Sequence, residues 1–460
     1  MTRLEGIDRG SSVEFRGLRY ARAERMEPPD DVERVETDAG GAAFGAQAPQ
    51  LGGILEQLLG AGDLEMSEDC LFLNVFTPAA DDGRRPVLVF VHGGAFVTGT
   101  GAMAWYDGAA MAERGDVVVV TINYRLGVFG FFDDLNLGTR DQISALRWIR
   151  RHIGDFGGDP GQVTVFGESA GGSSVVSLMA APSADELFHR AWAMSPSLTQ
   201  FRDRDTALDL ADRYLASLDQ DRSGLRSASM RDLLDGQQRF LGTVGGMQHF
   251  SPTDGSAVFP TSIIDVAASD TRPLVLGTNR DEMQLYTAFD GSRAAWGDDE
   301  AARQFRHRFG ARADEAIEAY SRARPNHDAN RLVAAMQTDE VFRRPAQRLA
   351  EARAESAGST WMYQFEMEST AFGGALGACH GLDLPFAFDT LETHGAEMFT
   401  GPGEHRRAVA ARLSGAIIEF ARSGTAPWVA YELADRATQR IGPVDDIVLD
   451  PERDLRILWD

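Results

Sequence analysis

Gly167-Glu168-Ser169-Ala170-Gly171 sets one serine between two glycines, each two residues away. In a G-x-S-x-G pentapeptide the serine rides a sharp turn from strand to helix. Flanking side chains would collide with the neighbouring strand and helix, so glycine stands at both ends. Such a turn lifts the Ser169 hydroxyl above the edge of a sheet. It also places the Ala170 N–H at a helix N-terminus, aimed at developing negative charge. The chemistry this suits is nucleophilic attack on a carbonyl carbon. An ordinary glycine-rich turn is the plain alternative, and the flanks argue against it. Val163–Phe166 reads as a strand before the motif, and a helix-forming run toward Met179 follows it until Pro182.

A nucleophile of this kind needs an oxyanion site, a base and an acid. Val89-Phe90-Val91-His92-Gly93-Gly94-Ala95-Phe96 is a strand running into a glycine-rich loop. A tetrahedral intermediate carries a full negative charge on one oxygen, and one preorganised N–H donor is worth roughly 3–4 kcal/mol to it. Gly94 and Ala95 are the expected donors, joined by Ala170. His92 precedes the glycines and is expected to brace the loop rather than move protons. For the base there are nine histidines. His152, His189, His307, His327 and His405 lie in charged or helical surroundings, and His394 follows Glu392-Thr393 in an exposed setting. His249 stays open. His380 lies on the late, glycine-rich stretch Gly373–Gly381, which suits the chain order serine, acid, histidine. The acid should follow a strand between the two. Pro273–Gly277 is such a strand, and Asn279-Arg280-Asp281-Glu282 comes next. Asp281 and Glu282 both qualify, and Asp254 is a third candidate. Its task is to fix the imidazole tautomer and stabilise the imidazolium.

The elements that must carry these residues alternate. Strand signals at 71–77, Pro86–Val91, Val117–Ile122, Val163–Phe166, Ala191–Met194 and Pro273–Leu276 are interleaved with helical periodicity, as over Asp141–Ile153. That pattern predicts an α/β fold with a mostly parallel sheet covered on both faces. Gly6–Tyr20 alternates weakly and reads as short strands or a hairpin. Residues 201–246 and 291–356 are charged and helical in period, and are expected to be helical insertions in one domain over residues 1–460. The chain has 45 basic and 69 acidic residues, a net charge of −24, which argues against nucleic-acid and anionic-membrane partners. Every basic residue is arginine, so a P-loop, a Schiff-base lysine and a Ser-Lys dyad are excluded. Two cysteines, Cys70 and Cys379, make no disulfide scaffold. The N-terminus shows no apolar signal region, and no run nears the roughly 18 apolar residues of a membrane span. Asp219–Gly224 begins like a calcium loop, but Met230 stands where the bidentate glutamate is due. No Cys/His spacing suggests zinc, and Gly99-Thr100-Gly101 lacks the third glycine of a dinucleotide fingerprint.

Two long stretches give a resemblance: Phe156–Gly171, which includes the serine motif, and Glu68–Pro78. Asn123-Tyr124-Arg125, Asp141-Gln142 and Gly277–Glu282 also fit. The chain resembles the type-B carboxylesterases, α/β-hydrolases that include the para-nitrobenzyl esterases and cholinesterases, from about Gly6 to about Gly424. The resemblance implies an α/β-hydrolase fold with Ser169 as nucleophile, Glu282 rather than Asp281 as acid and His380 as base. It supports Gly94, Ala95 and Ala170 as oxyanion donors. It further implies two structural ion pairs, Arg25 with Glu68 and Arg125 with Asp159. The chain departs from the family at three points. Cys70 lacks an upstream partner and is expected to be a free thiol. Cys379 beside the base reads as a small buried hydrophobe. Ser195-Pro196-Ser197 replaces the usual Ser-Gly-Ser.

The sequence therefore predicts a carboxylesterase that hydrolyses small or aryl esters through an acyl-enzyme. It is expected to need no cofactor and no metal, to be cytoplasmic, and to act as a monomer or homodimer with no nucleic-acid or membrane partner. Activity should rise through the pKa of the base, expected at roughly 6–7. The same machinery could cleave a carbamate or an activated amide. A non-catalytic binding protein on the same fold is the rival reading.

Overall fold

Short runs of Val, Ile, Leu and Phe bounded by turn residues become strands buried on both faces when helices cover both sides of a sheet. The computed structural model describes residues 4–52, 64–244, 249–293, 295–356 and 358–460. Residues 1–3, positions 245 and 246 of the first expected insertion and position 294 of the second lie outside the described residues. The chain forms a 12-stranded sheet. Its strands are β1 Ile7–Asp8, β2 Val13–Arg22, β3 Asp30–Thr37, β4 Phe72–Thr77, β5 Arg85–Val91 and β6 Val118–Ile122. They continue with β7 Gly158–Glu168, β8 Arg190–Met194, β9 Leu274–Asn279, β10 Thr360–Phe365, β11 Thr438–Ile441 and β12 Ile447–Val448. The spatial order is β1-β2-β4-β6-β5-β7-β8-β9-β10-β11-β12, with β3 beside β2. From β6 to β11 every pairing is parallel. The flanking pairs β2–β4, β4–β6 and β11–β12 are antiparallel.

The interior strands match the alternation expected from sequence. Val87, Leu88, Val89, Phe90 and Val91 of β5 are fully buried. Each such side chain stabilises the fold by about 1.5–3 kcal/mol relative to exposure. Four elements differ from the sequence reading for physical reasons. Strand β7 starts at Gly158, ahead of the expected Val163; a register shift against β5 between Gly158 and Val163 accommodates Pro160 and Gly161. The helix expected from Asp141 starts at Leu137 (α1, Leu137–His152). Its first turn contains Gly138, a helix-weakening residue that is needed here because a Cβ would meet the Phe131 ring at 2.5 Å. Strand β9 runs through Gly277 to Asn279, because the Tyr363 ring of β10 lies where a side chain would be. No strand is expected from sequence at β10, whose six residues are all buried.

Helix α2 (Ala170–Met179) follows β7 directly. The charged stretches are helical: α3 Arg204–Ser217 and α4 Met230–Val244, then α5 Asp298–Phe309, α6 Ala313–Ala323, α7 Ala329–Thr338 and α8 Arg344–Ala354. Local capping explains several boundaries. The Asp203 carboxylate accepts the Thr206 N–H at the start of α3, and Asp328 accepts that of Arg331 at the start of α7. Asp221, from the discarded calcium pattern, caps a short helix by accepting the Gly224 N–H at 2.8 Å. Among the described residues no helix is long and apolar enough to cross a membrane.

Of the two ion pairs implied by the resemblance, Arg25 with Glu68 forms, Nε donating at 2.8 Å. The second is corrected. Arg125 pairs with Asp141, its Nη2 and Nε donating at 2.7 and 2.8 Å and its backbone N–H at 3.0 Å. Asp159 instead accepts from Arg84 at 3.1 Å. The topology requires this. Arg125 follows the C-terminal end of β6, whereas Asp159 opens β7, so the two lie at opposite edges of parallel strands.

Candidate active site

In an open parallel sheet, ligands bind beyond the C-terminal strand ends where the strand order reverses. Here β5 lies between β6 and β7, so that point is the end of β5 and β7. Strand β7 ends at Glu168 and α2 begins at Ala170, with Ser169 between them at φ 58° and ψ −122°. A non-glycine residue in this region is strained by about 1–3 kcal/mol. The surroundings hold it there. The Ser169 N–H donates to Met194 O at 2.9 Å, and Ser169 O accepts from the Ser173 N–H at 2.8 Å. A Cβ on Gly167 would stand 2.6 Å from both Gly171 O and Val91 O, and one on Gly171 would collide with Val91 O. The Ser169 side chain makes no cap bond to α2, which leaves its hydroxyl available.

The loop after β5 packs onto this turn. A Cβ on Gly93 would lie 3.1 Å from the Ser169 Cβ, so only glycine permits the approach. Gly94 (φ 108°), Ala95 (φ 52°) and Phe96 (φ 61°) take left-handed backbone, and Gly94 O accepts the Val97 and Thr98 N–H groups at 3.0 and 2.9 Å. Among the described residues the amides of Gly94, Ala95 and Ala170 donate to no other backbone group. His92 braces the loop as expected. It stacks on Tyr124 at 4.4 Å, Tyr124 Oη donates to His92 O at 2.8 Å, and its Nδ1 lies 2.8 Å from Gly93 O. Burial drives its pKa down to about 4, against a smaller upward effect of that hydrogen bond, so the ring is neutral at pH 7.

The structure separates the adjacent acids. Glu282, fully buried, places Oε2 2.7 Å from His380 Nδ1, while its Oε1 accepts the Asn279 N–H at 2.7 Å. Asp281 turns the other way, accepting from Arg280 Nη2 at 2.8 Å and from the Ala378 N–H at 3.0 Å. Asp254 accepts the Ile263 N–H and takes no part. Ser169, His380, Gly93, Gly94 and Ala95 line one cavity of about 270 Å³, completed by Met103, Trp105, Tyr106, Leu285, Tyr286 and Phe399 among others.

Two carboxylates here escaped the sequence reading. Glu168 Oε1 lies 3.2 Å from His380 Nε2, and Asp383 Oδ1 accepts from Asn279 Nδ2 at 3.1 Å. The only signal available was position: Glu168 sits at the end of a buried strand, and Asp383 lies three residues past the histidine. Burial raises the pKa of Glu168, and the charges of Asp383 and Glu282 add to the shift against the opposing effect of His380. For His380, burial alone would lower the pKa, but Glu168, Glu282 and Asp383 together outweigh it. The net shift is upward. Cys379 is buried with its thiol pKa pushed well up by desolvation, so it behaves as a small hydrophobe. Cys70 is likewise a free, buried thiol.

A buried imidazole–carboxylate pair beside a strained serine and a left-handed glycine loop, on this sheet, defines an α/β-hydrolase. The profile of the carboxylesterase family matches residues 2–437, and the chain belongs to that family and is an ester-hydrolysing enzyme. It is 32% identical to the para-nitrobenzyl esterase of Bacillus subtilis, covering 99% of this chain and 96% of that one. It is 34% identical to the phenmedipham hydrolase of Pseudarthrobacter oxydans, over 82% of this chain and 79% of the relative. Among solved structures, a Geobacillus stearothermophilus carboxylesterase superposes with a TM-score of 0.85 at 33% identity, covering 99% of this chain and 98% of its own.

Proposed function

We propose that this enzyme hydrolyses small or aryl carboxylic esters through a Ser169–His380–Glu282 triad and an acyl-enzyme, working as one hydrolase domain. His380 Nε2 takes the Ser169 proton as the oxygen attacks the ester carbonyl. The amides of Gly94, Ala95 and Ala170 hold the oxyanion. His380 then protonates the leaving alcohol, and water repeats the sequence on the acyl-enzyme. Glu282 keeps Nδ1 protonated, so that Nε2 is the accepting nitrogen. The observation that carries this reading is the His380–Glu282 contact at 2.7 Å, with the same histidine and Ser169 facing one cavity. The cavity supports a small or aryl substrate: its walls are mostly apolar and aromatic, and its volume is about 270 Å³. The scheme draws only on side chains and backbone amides of this chain and on water, so it calls for no cofactor or metal. A cytoplasmic location and a monomeric or homodimeric state belong to the same reading.

The test is labelling by an aryl organophosphonate, followed by intact mass. The unmodified enzyme should gain one adduct and lose activity, and Ser169→Ala should gain none. Labelling of Ser169→Ala to the same extent would refute the assignment. A series of 4-nitrophenyl esters with the alcohol held constant then reads the acyl preference.

A further inference from the structure

The helical run from Ala329 to Ala354 is interrupted once, by a π-helical turn at Asp339–Arg343 between α7 and α8. Such turns are rare and are concentrated at functional sites. This one touches the acid-bearing loop at both ends. Thr338 Oγ1, the last side chain of α7, accepts the Met283 N–H at 3.1 Å. Arg343 Nη2 donates to Arg280 O at 2.7 Å. The two contacts bracket Asp281-Glu282. Between them the turn presents Phe342, only 1% exposed, whose ring centroid lies 4.7 Å from that of His380 at an interplanar angle of 38°. The Tyr286 ring lies 5.7 Å from the same imidazole.

The turn is itself anchored. Arg343 is buried against Asp339 and Glu452, and Asp339 accepts from Tyr320 Oη at 2.5 Å. Tyr320 Oη in turn accepts from Trp459 Nε1, next to the C-terminal residue, at 3.0 Å. Phe342 does not line the cavity.

An imidazole held by one strong hydrogen bond can pivot about it. For His380 that bond is Nδ1 to Glu282, and a pivot would carry Nε2 between the serine and Glu168 Oε1. A ring face packed against the imidazole removes the motion. Displacing a reacting atom by about 1 Å can cost on the order of a hundredfold in rate.

We propose that this π-turn is the element that positions base and acid together: Thr338 and Arg343 fix the two ends of the Glu282 loop, and Phe342 is the wall that stops the His380 ring. The proposal rests on the triad reading above. Thr338, Phe342 and Arg343 are positioning residues, since none meets the substrate. The charged groups facing His380 are Glu282, Glu168 and Asp383, and the variants below leave all three in place.

The experiment compares Phe342→Leu, Phe342→Tyr, Thr338→Val and Thr338→Ser with the unmodified enzyme, with Ser169→Ala as control. Circular dichroism and a thermal melt establish folding. Steady-state kinetics on a 4-nitrophenyl ester give kcat and KM separately, and proton NMR follows the strongly deshielded Nδ1 proton of a His–carboxylate pair. Phe342→Leu should lower kcat by about tenfold to a hundredfold, with KM within about twofold, and broaden that resonance. Thr338→Val, nearly isosteric and expected to fold, should show the same pattern more weakly. Phe342→Tyr and Thr338→Ser should restore most of the loss. Folded Phe342→Leu and Thr338→Val enzymes with unchanged kcat and an unchanged resonance would overturn the proposal while inactive Ser169→Ala left the triad standing. If Phe342→Leu does not fold, Thr338→Val decides alone. Activity retained in Ser169→Ala would remove the triad, and this inference with it.

Discussion

Replacing Glu282 with glutamine tests the mechanism at the point where one atom decides the outcome. The carboxylate has two distinct partners: Oε1 accepts the Asn279 N–H, and Oε2 faces His380 Nδ1, each at 2.7 Å. A glutamine must turn its amide one way or the other. If its NH2 meets the Asn279 N–H, two buried donors oppose each other, at about 1–3 kcal/mol. If its oxygen stays on Asn279, the NH2 faces Nδ1. The imidazole then accepts at Nδ1 and carries its proton on Nε2, where it cannot take one from Ser169. The second arrangement wins, so the productive tautomer is disfavoured by that same amount. Losing the charge that supports the imidazolium removes a further 1.5–3 kcal/mol or so, the usual strength of a charge-assisted hydrogen bond. Together these come to about 2.5–6 kcal/mol, or roughly a hundred- to ten-thousandfold in kcat. The assay is initial-rate hydrolysis of a 4-nitrophenyl ester over a pH series, normalised by active-site titration, with KM expected to change little. Residual activity should show its acidic limb at lower pH than in the unmodified enzyme, because Glu282 is one of the groups that raise His380. A folded Glu282→Gln enzyme within about tenfold of the original kcat, or a larger kcat loss in Asp281→Asn, would refute the reasoning.

Glu168→Gln removes a charge that raises the His380 pKa, so the acidic limb of kcat/KM should move to lower pH; a limb that stays or rises would contradict the 3.2 Å contact. Arg125→Met leaves the fully buried Asp141 unpaired and should cost about 3–5 kcal/mol of stability in urea unfolding, whereas Arg84→Met, at the exposed partner of Asp159, should cost less than about 1. Gly93→Ala places a methyl 2.8 Å from Glu168 O and 3.1 Å from Ser169 Cβ, so kcat should fall at least tenfold or so while the melting transition stays cooperative. Unchanged turnover there would mean that the loop has room to spare.

What could be read from the sequence followed from how local each signal was. The serine turn was legible because its glycines lie within two residues of the nucleophile and each answers a local steric demand. The loop at Gly94-Ala95 was legible for the same reason. The choice between Asp281 and Glu282 was not legible from pattern. They are neighbours, and what parts them is the Arg280 and Ala378 contacts of one and the Asn279 amide on the other. Family resemblance chose Glu282, and the distances show why only that side chain reaches the ring. Glu168 was hidden in plain view as the variable position of its own motif, because a carboxylate's burial is set by segments more than 200 residues away, such as His380. Strand β10 was hidden because Thr-Trp-Met-Tyr-Gln-Phe shows no clean alternation when both faces are covered. The Arg125 partner implied by the resemblance was wrong because Arg125 and Asp159 lie at opposite edges of the sheet, while Asp141 lies within reach.

Hydrolysis converts a neutral ester into an acid that ionises at once above its own pKa. Among the described residues the walls of the cavity contain no arginine, although every one of the chain's 45 Lys+Arg residues is arginine, and they do contain Glu168. Among the described lining residues the nascent carboxylate therefore finds no cation to rest against apart from protonated His380, in a protein whose net charge is −24. Apart from the oxyanion amides the lining offers the acid little to hold it, so product inhibition at high conversion should come from the alcohol fragment more than from the acid.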